Sequence, residues 1–273
     1  MNKIVITGAS SGIGKATAKH FAVKGWEVAA TMRKPEREME LVEIESIKLY
    51  PLDVTDKEMI DRTSSQILQE FETVDIVMNN AGYGLAGPFE AATSEQIQRQ
   101  FDTNVFGLMN VTRAFLPHFR SNRAGMFVNI SSVGGLSTYP FVSLYHATKW
   151  AVEGFSESLS YELAELGIQV KIIEPGAVST DFGGRSMDFA IPTNFSDYEP
   201  SVQRYMDARA KSDRVLASAE VVASGIYEAT TDGKQQLRYP VGDAGQIFEL
   251  RRQLGDEGFL KFMQEQMLKK RNG

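Results

Sequence analysis

The 273-residue chain contains no cysteine. That excludes a disulfide framework, a thiolate nucleophile and a cysteine-based zinc site. Histidine is scarce as well. His20, His118 and His146 are the full set, they show no metal-ligand spacing, and no metal is expected. No apolar run is long enough to span a bilayer, so no membrane partner is expected. Met1-Asn2-Lys3-Ile4-Val5-Ile6 enters a strand-like run without a small-residue cleavage site. We therefore expect no secretory signal and take the cytoplasm as the default location. Positive charge is not in excess: the net charge of −6 argues against bulk attraction to nucleic acid. The basic end Lys269-Lys270-Arg271 reads as a solvated helix terminus, where cations suit the helix dipole. What remains is an ordinary globular composition, 42% hydrophobic and 23% charged, on a chain long enough for a sizeable core.

The chain opens on a strand pattern, Lys3 to Thr7, that stops at a glycine-rich turn, Gly8-Ala9-Ser10-Ser11-Gly12-Ile13-Gly14. A helix with Ala18, Phe21 and Ala22 at helical spacing follows, then a strand over 27–32. This is a βαβ unit, and its glycines allow a tight turn whose backbone N–H groups can approach a pyrophosphate. The following helix offers its N-terminal dipole to the same anion. After the second strand comes Met32-Arg33-Lys34, with no carboxylate before Glu36. An acidic residue there would select NAD through the ribose hydroxyl, and an arginine would meet the 2′-phosphate of NADP. Arg33 thus favours NADP(H) over NAD(H), with plain solvated loop cations as the alternative.

Strand patterns recur at 47–52, 75–79, 125–130 and 169–173, alternating with helical ones at 57–71, 95–120 and 144–165. A short last strand is expected at 237–241. Asp53 and Val54 follow the third strand, and Asn79-Asn80-Ala81-Gly82 ends the fourth, at the carboxyl ends where open α/β sheets bind ligands. For Asp53 the alternative is a helix cap, shared with Thr55 and Asp56. Asn104 falls in mid-helix, where its amide can compete for backbone bonds. Ser131 and Ser132 end the fifth strand. Tyr145 and Lys149 are four residues apart, on one face of a helix. An ammonium beside the phenol would pull the tyrosine down from its ordinary range and make it usable at neutral pH.

These residues together resemble the short-chain dehydrogenase/reductase family. The resemblance rests on Thr7-Gly8-x3-Gly12-Ile13-Gly14, Asn79-Asn80-Ala81-Gly82, Ser132 with Tyr145-x3-Lys149, and Pro175-Gly176-x3-Thr180, in order over residues 4–180. The Arg33 region looks similar to the NADP-preferring, 17β-hydroxysteroid-dehydrogenase-like branch, without implying a steroid substrate. The resemblance implies an α/β, Rossmann-type doubly wound parallel sheet. We expect one domain over 1–273, with a substrate lid at about 181–217 and a C-terminal helical extension at about 244–273.

The resemblance further implies roles. Tyr145 would be general acid in reduction and base in oxidation. Lys149 would hold the nicotinamide ribose and lower the Tyr145 pKa. Ser132 would bind the substrate oxygen, and Asn104 would hold a water in a relay to Lys149. Gly8, Ser10, Ser11, Gly12, Ile13, Gly14, Arg33, Asp53, Val54, Asn80, Ala81 and Gly82 would meet the nucleotide, with Pro175, Gly176, Val178 and Thr180 at its nicotinamide end. Ser131 and His146 are read as structural. Substrate would touch Ser132, Tyr139 and Tyr145, in a pocket walled by Tyr83, Leu85, Val133, Phe141, Phe182 and Phe189. The expected activity is NADP(H)-dependent interconversion of a carbonyl and a secondary or primary alcohol in a medium-sized, largely apolar molecule. An NAD-dependent alcohol dehydrogenase and a non-catalytic NADP-sensing scaffold are the alternatives. Family members often pack the helices around 95–120 and 144–165 into symmetric assemblies, so a homodimer or homotetramer is an open expectation.

Overall fold

The computed structural model describes residues 2–179, 186–191, 196–210 and 216–268. The glycine turn joins β1 (Lys3–Thr7) to α1 (Gly12–Val23), which leads to β2 (Glu27–Met32) and β3 (Ile47–Pro51). Then come α2 (Lys57–Phe71), capped by Asp56, and β4 (Ile76–Asn79). After the short β5 (Gly84–Ala86), α3 (Ser94–Phe101) starts at a Thr93–Gln96 capping box. The single helix expected over 95–120 is broken. Asp102–Gly107 winds as a π-helix before α4 (Leu108–Asn122) resumes the α-helical path. Next are β6 (Gly125–Ile130), α5 (Ser143–Ala164), β7 (Ile168–Pro175) and β8 (Val178–Ser179). The later part holds β9 (Met187–Phe189), α6 (Glu199–Ala210), β10 (Ala217–Ser218), α7 (Ala219–Thr231), β11 (Arg238–Val241) and α8 (Ala244–Met267).

The central sheet has seven parallel strands in the order β11-β7-β6-β4-β1-β2-β3. The chain builds outward from β1 in one direction, then returns to β4 and builds in the other. The reversal between β1 and β4 leaves a crevice at the strand ends. Strand alternation divides the core into two layers. Ile4, Ile6, Val28 and Ala30 pack on one face with Phe21, Trp26, Val222 and Ile226 from the α1 and α7 side. Val5, Ala29, Val77 and Phe127 pack on the other with Ile60, Ile67, Phe115 and Leu159 from α2, α4 and α5. Pro240 sits in the edge strand β11, where its missing N–H costs no central ladder bond.

Two short parallel pairs stand outside this sheet: β5 with β9, and β8 with β10. They tie the expected lid region to the strand ends. In α6, Tyr205 is buried, and Arg204 Nε donates to the Leu268 carbonyl at 2.8 Å beyond α8. The C-terminal extension is not one straight helix, because Gly255 breaks the helical dihedrals within α8 (φ 66°, ψ 175°). Phe259 and Met263 are buried, whereas Leu254 and Leu260 are exposed, so only part of its apolar set covers core.

Candidate active site

The strand ends open into one cavity of about 1090 Å³. Gly8 after β1, Met32 and Arg33 at β2, Leu52 after β3, Asn80 after β4, Ile130 in β6 and Pro175 in β7 all border it. Ser10, Ser11, Gly12 and Ile13 line it around the start of α1. Gly8 takes φ +68°, the left-handed region that favours glycine. Gly14 does not line the cavity. A Cβ there would lie 2.5 Å from the Gly8 carbonyl oxygen and 2.6 Å from Asn80 Nδ2, so its part is to let α1 pack against the turn. Asn80 Nδ2 closes that turn by donating to the carbonyls of Thr7 (2.9 Å) and Gly8 (3.1 Å). The Asn80 and Ala81 N–H groups both donate to Thr7 Oγ1. Asn79 turns away from this turn, to Thr112 and Asn129, and so bridges strands instead.

Arg33 is exposed at the rim and makes no ion pair among the described residues. Glu38 and Glu40, which follow it, are engaged elsewhere. Burial works against ionising Glu38, but the Glu40 and Leu41 N–H groups and Lys15, 3.0 Å away, outweigh it and hold its carboxyl below the usual range. Glu40 pairs with Lys15 and Lys19. Asp53 and Val54 border the cavity beside Arg33. Asp53 Oδ1 accepts from the Thr55 N–H (3.0 Å) and hydroxyl (2.7 Å), which fixes the turn before α2, while Asp56 provides the cap. Ala81 and Gly82 complete this side.

A nicotinamide dinucleotide suits this lining. Helix α1 carries no acidic residue in its first turn and no side-chain cap at Ser11, so its positive end faces the cavity uncompensated. Pro175, Gly176, Ala177 and Val178 line the far end. Gly176 is required by close approach, since a Cβ would fall 1.9 Å from Asp243 Oδ1, which also accepts the Ala177 N–H at 3.0 Å. Asp243 is a positioning element that no local pattern announces. Thr180, also expected here, lies outside the described residues.

Between these two ends stand Ser132, Tyr145 and Lys149, all lining the cavity. Ser132 Oγ accepts the Gly134 N–H at 3.0 Å and is hydrogen-bonded to the Tyr145 phenol. Lys149 is buried, and its Nζ donates to the Ile130 carbonyl at 2.8 Å while lying 5.7 Å from the Tyr145 ring centroid. The expected depression of the tyrosine is not found. Enclosure of the phenol pushes Tyr145 up to about 12, and the Ser132 bond offsets only part of that. Burial pulls Lys149 down to about 8, against an opposing effect of Glu153. At this distance, with the ammonium turned to a backbone carbonyl, desolvation wins over attraction.

Asn104 is buried in the π-wound turn and does not line the cavity. Its Oδ1 accepts the Tyr83 N–H (3.0 Å), and its Nδ2 donates to the Tyr83 carbonyl (2.8 Å) and to Thr148 Oγ1 (3.1 Å). The amide thus clamps the loop after β4 to α5, one residue before Lys149. His146 borders the cavity but both ring nitrogens are engaged: Nε2 accepts the Tyr139 N–H at 2.9 Å, and Nδ1 donates to the Gly134 carbonyl at 2.9 Å. Burial holds it below the usual histidine range, which keeps it a neutral brace.

At the substrate end, Tyr83, Val133 and Tyr139 line the cavity as expected. Leu85 is buried within β5, Phe141 packs at a tilt against Tyr205 (centroids 5.6 Å apart) without lining the cavity, and Phe189 is half exposed. Phe182 lies outside the described residues. In their place the wall includes Val142, Met187, Tyr205, Leu216 and Met267, which no sequence pattern marked. Arg99 lies over the Tyr83 ring and pairs with Asp188, linking α3 to β9 at the mouth.

The model of the short chain dehydrogenase family matches residues 2–189. A 3-ketodihydrosphingosine reductase of Bacteroides thetaiotaomicron is 34% identical over 244 residues, which cover 89% of this chain and 89% of that protein. Among solved structures, a short-chain dehydrogenase from Streptomyces avermitilis superposes with a TM-score of 0.80 at 34% identity, covering 93% of this chain and 94% of that one. ElxO with NADP bound superposes at 0.73 with 27% identity, over 90% of this chain and 99% of that one. By family match, relatives and architecture, the chain belongs to the short-chain dehydrogenases/reductases and is an oxidoreductase acting on CH–OH groups.

Proposed function

We propose that this oxidoreductase uses NADP(H) in preference to NAD(H) and interconverts a carbonyl with a secondary or primary alcohol, through Ser132, Tyr145, Lys149 and Asn104. The observation that carries the reading is the meeting of Ser132, the Tyr145 phenol and Lys149 inside one cavity, beside an uncapped helix N-terminus. The nicotinamide, when bound, supplies the hydride chemistry. Ser132 donates a hydrogen bond to the substrate oxygen and stabilises charge developing there. Tyr145 gives its phenolic proton to that oxygen in reduction and takes it back in oxidation. A phenol near 12 and a lysine near 8 are both protonated at neutral pH, a resting state that suits reduction. Lys149 holds the ribose end of the cofactor. The Asn104 side chain is committed to Tyr83 and Thr148, so a relay role falls to its backbone carbonyl in the loosened π-wound turn.

Gly8, Ser10, Ser11, Gly12 and Ile13 would hold the pyrophosphate, with Gly14 shaping their turn. Asp53 and Val54 would meet the adenine, Asn80, Ala81 and Gly82 the adenosine ribose side, and Pro175, Gly176 and Val178 the carboxamide end. Arg33 supports the NADP preference, because it stands at the end of β2 with no ion pair among the described residues while Glu38 and Glu40 face lysines. The wall of Tyr83, Val133, Tyr139, Val142, Tyr205 and Met267 favours an apolar substrate body, in keeping with a relative named for a sphingoid ketone.

The test is NADPH oxidation with a panel of aldehydes and ketones of increasing apolar length, for wild type and Tyr145→Phe. Carbonyl-dependent turnover confined to wild type is expected, and wild type that never exceeds the variant on any carbonyl removes the proposal. For the cofactor, Arg33→Ala should weaken NADPH binding about tenfold, the worth of one charge-assisted bond, and leave NADH binding unchanged. Unaltered NADPH affinity would sink the arginine–phosphate contact.

A further inference from the structure

Behind Lys149, on the side away from the cavity, lies a buried cluster of charged groups. Glu153 follows Lys149 by one helical turn, on the same face of α5. It is 3% exposed, deep enough that an isolated carboxylate would be costly. Its Oε2 accepts from Arg238 Nε at 3.0 Å. Arg238 comes from the edge strand β11 and donates a second bond from Nη2 to Glu157, one turn further along α5, at 2.6 Å. Glu174, in β7, is 1% exposed, and its Oε1 lies 3.8 Å from Arg238 Nε without a hydrogen-bond partner among the described residues. The β7–β11 register explains the meeting: Arg238 stands opposite Ile172, so Glu174 is its diagonal neighbour on the same face. Ser131 faces Glu153 from just beyond the end of β6. The loop that follows Ser132 seals the cluster, since a Cβ at Gly135 would fall 2.4 Å from Ser131 Oγ and 2.8 Å from Glu153 Oε1.

We infer that Glu153 is a positioning residue that sustains the charge of Lys149 in its buried place, and that Arg238 in turn sustains the charge of Glu153. The ionisable groups facing Lys149 are Tyr145 and Glu153, both on α5. Those facing Glu153 are Lys149 and Glu157 on its own helix, Arg238 from β11 and Glu174 from β7. Lys149 has no carboxylate in direct contact among the described residues. Its Nζ bonds a backbone carbonyl, so its charge depends on a field from one turn away. Burial pushes Glu153 up, and Ser131, Arg238 and Lys149 oppose that. Burial and then Glu153 repulsion push Glu174 up to about 8 against the opposing pull of Arg238, so at neutral pH it holds a proton and adds little negative charge. Glu157 shares Arg238 with Glu153 from the outer side, which leaves Glu153 as the carboxylate whose charge acts on Lys149. The inference rests on the proposed role of Lys149, yet it concerns a titration that can be read without substrate or cofactor.

The experiment is NMR of protein carrying 13C-labelled lysine, following the Lys149 side-chain signal, assigned with Lys149→Arg, across pH. Wild type should titrate near 8. Glu153→Gln should lower that midpoint by about one unit, the lower end of the effect of one nearby opposite charge. Glu153→Asp should restore most of it, and Arg238→Gln should lower it by less than Glu153→Gln does. The alkaline limb of NADPH binding should move to lower pH in parallel. A folded Glu153→Gln protein with an unmoved Lys149 midpoint overturns the inference. If that variant does not fold, an unmoved midpoint in folded Arg238→Gln overturns it equally. Failure of the oxidoreductase proposal would appear elsewhere, as absent carbonyl-dependent NADPH oxidation in wild type.

Discussion

Two lysines are buried among the described residues, and they differ in what surrounds them. Lys171, in β7, is 2% exposed. Its Nζ donates to the Ala229 carbonyl (2.5 Å), Tyr239 Oη (3.0 Å) and Asp232 Oδ1 (3.1 Å), and Tyr239 closes the ring by donating to Asp232 Oδ2 (2.9 Å). Its three donors are all used, which is what a structural cation needs. Lys149 is 8% exposed, and the Ile130 carbonyl is the one hydrogen-bond partner described for it. Its remaining donors face a cavity, and burial depresses it towards about 8. A full partner set makes Lys171 a tie between β7, α7 and β11. An incomplete set leaves Lys149 able to hold a ligand, and the fold carries the cost of keeping it charged.

The sharpest way to break this contrast is to remove each lysine. Lys149→Met should abolish carbonyl-dependent NADPH oxidation while the melting temperature holds or rises, because a buried, under-partnered charge is replaced by an apolar chain. Lys171→Met should do the reverse: a melting temperature lower by several degrees, as Asp232 and Tyr239 lose their shared partner, with activity per folded molecule retained. Thermal melts paired with rate measurements decide it. Equal loss of stability in both variants would erase the distinction. A smaller effect sharpens the contrast within the cluster behind Lys149. Glu174 titrates near 8 in the folded protein against 4.5 for an ordinary glutamate. Between these values the folded chain holds a proton that the unfolded chain has released, so stability falls as pH rises through this window and levels off above it. Glu174→Gln lacks that slope. Its melting temperature should gain on wild type steadily from about pH 5 to pH 8. A constant difference across that range would place the Glu174 proton elsewhere.

The same contrast explains what could be read from the chain. Gly8, Asn80 and the Tyr145–Lys149 pair act through local geometry: a left-handed turn, a strand end, one helical turn. Each is legible where it stands. The seven strands were legible for the same reason, including β11 from five residues ending at Val241. Asp102–Gly107 was not, since no residue there forbids an α-helix. The π winding goes with a long-range contact, Asn104 satisfying both backbone groups of Tyr83, 21 residues upstream. Arg238 and Glu153 are 85 residues apart and meet only through the β7–β11 pairing. Tyr205, Leu216 and Met267 reach the cavity from segments without a repeating pattern that would aim them. Spacing alone does not give the sign of the Tyr145 shift, because four residues on a helix measure proximity to Lys149 and say nothing of enclosure.

The central claim is that the Tyr145 phenol moves the proton in this cavity. Single-turnover reduction of the best carbonyl from the panel, by wild type and Tyr145→Phe preloaded with NADPH, tests it most directly. The account predicts NADPH affinity unchanged to within about twofold and a reduction rate lower by about 10²–10⁴-fold, the usual worth of a positioned general acid. A folded Tyr145→Phe protein that binds NADPH and reduces the carbonyl at the wild-type rate would contradict it.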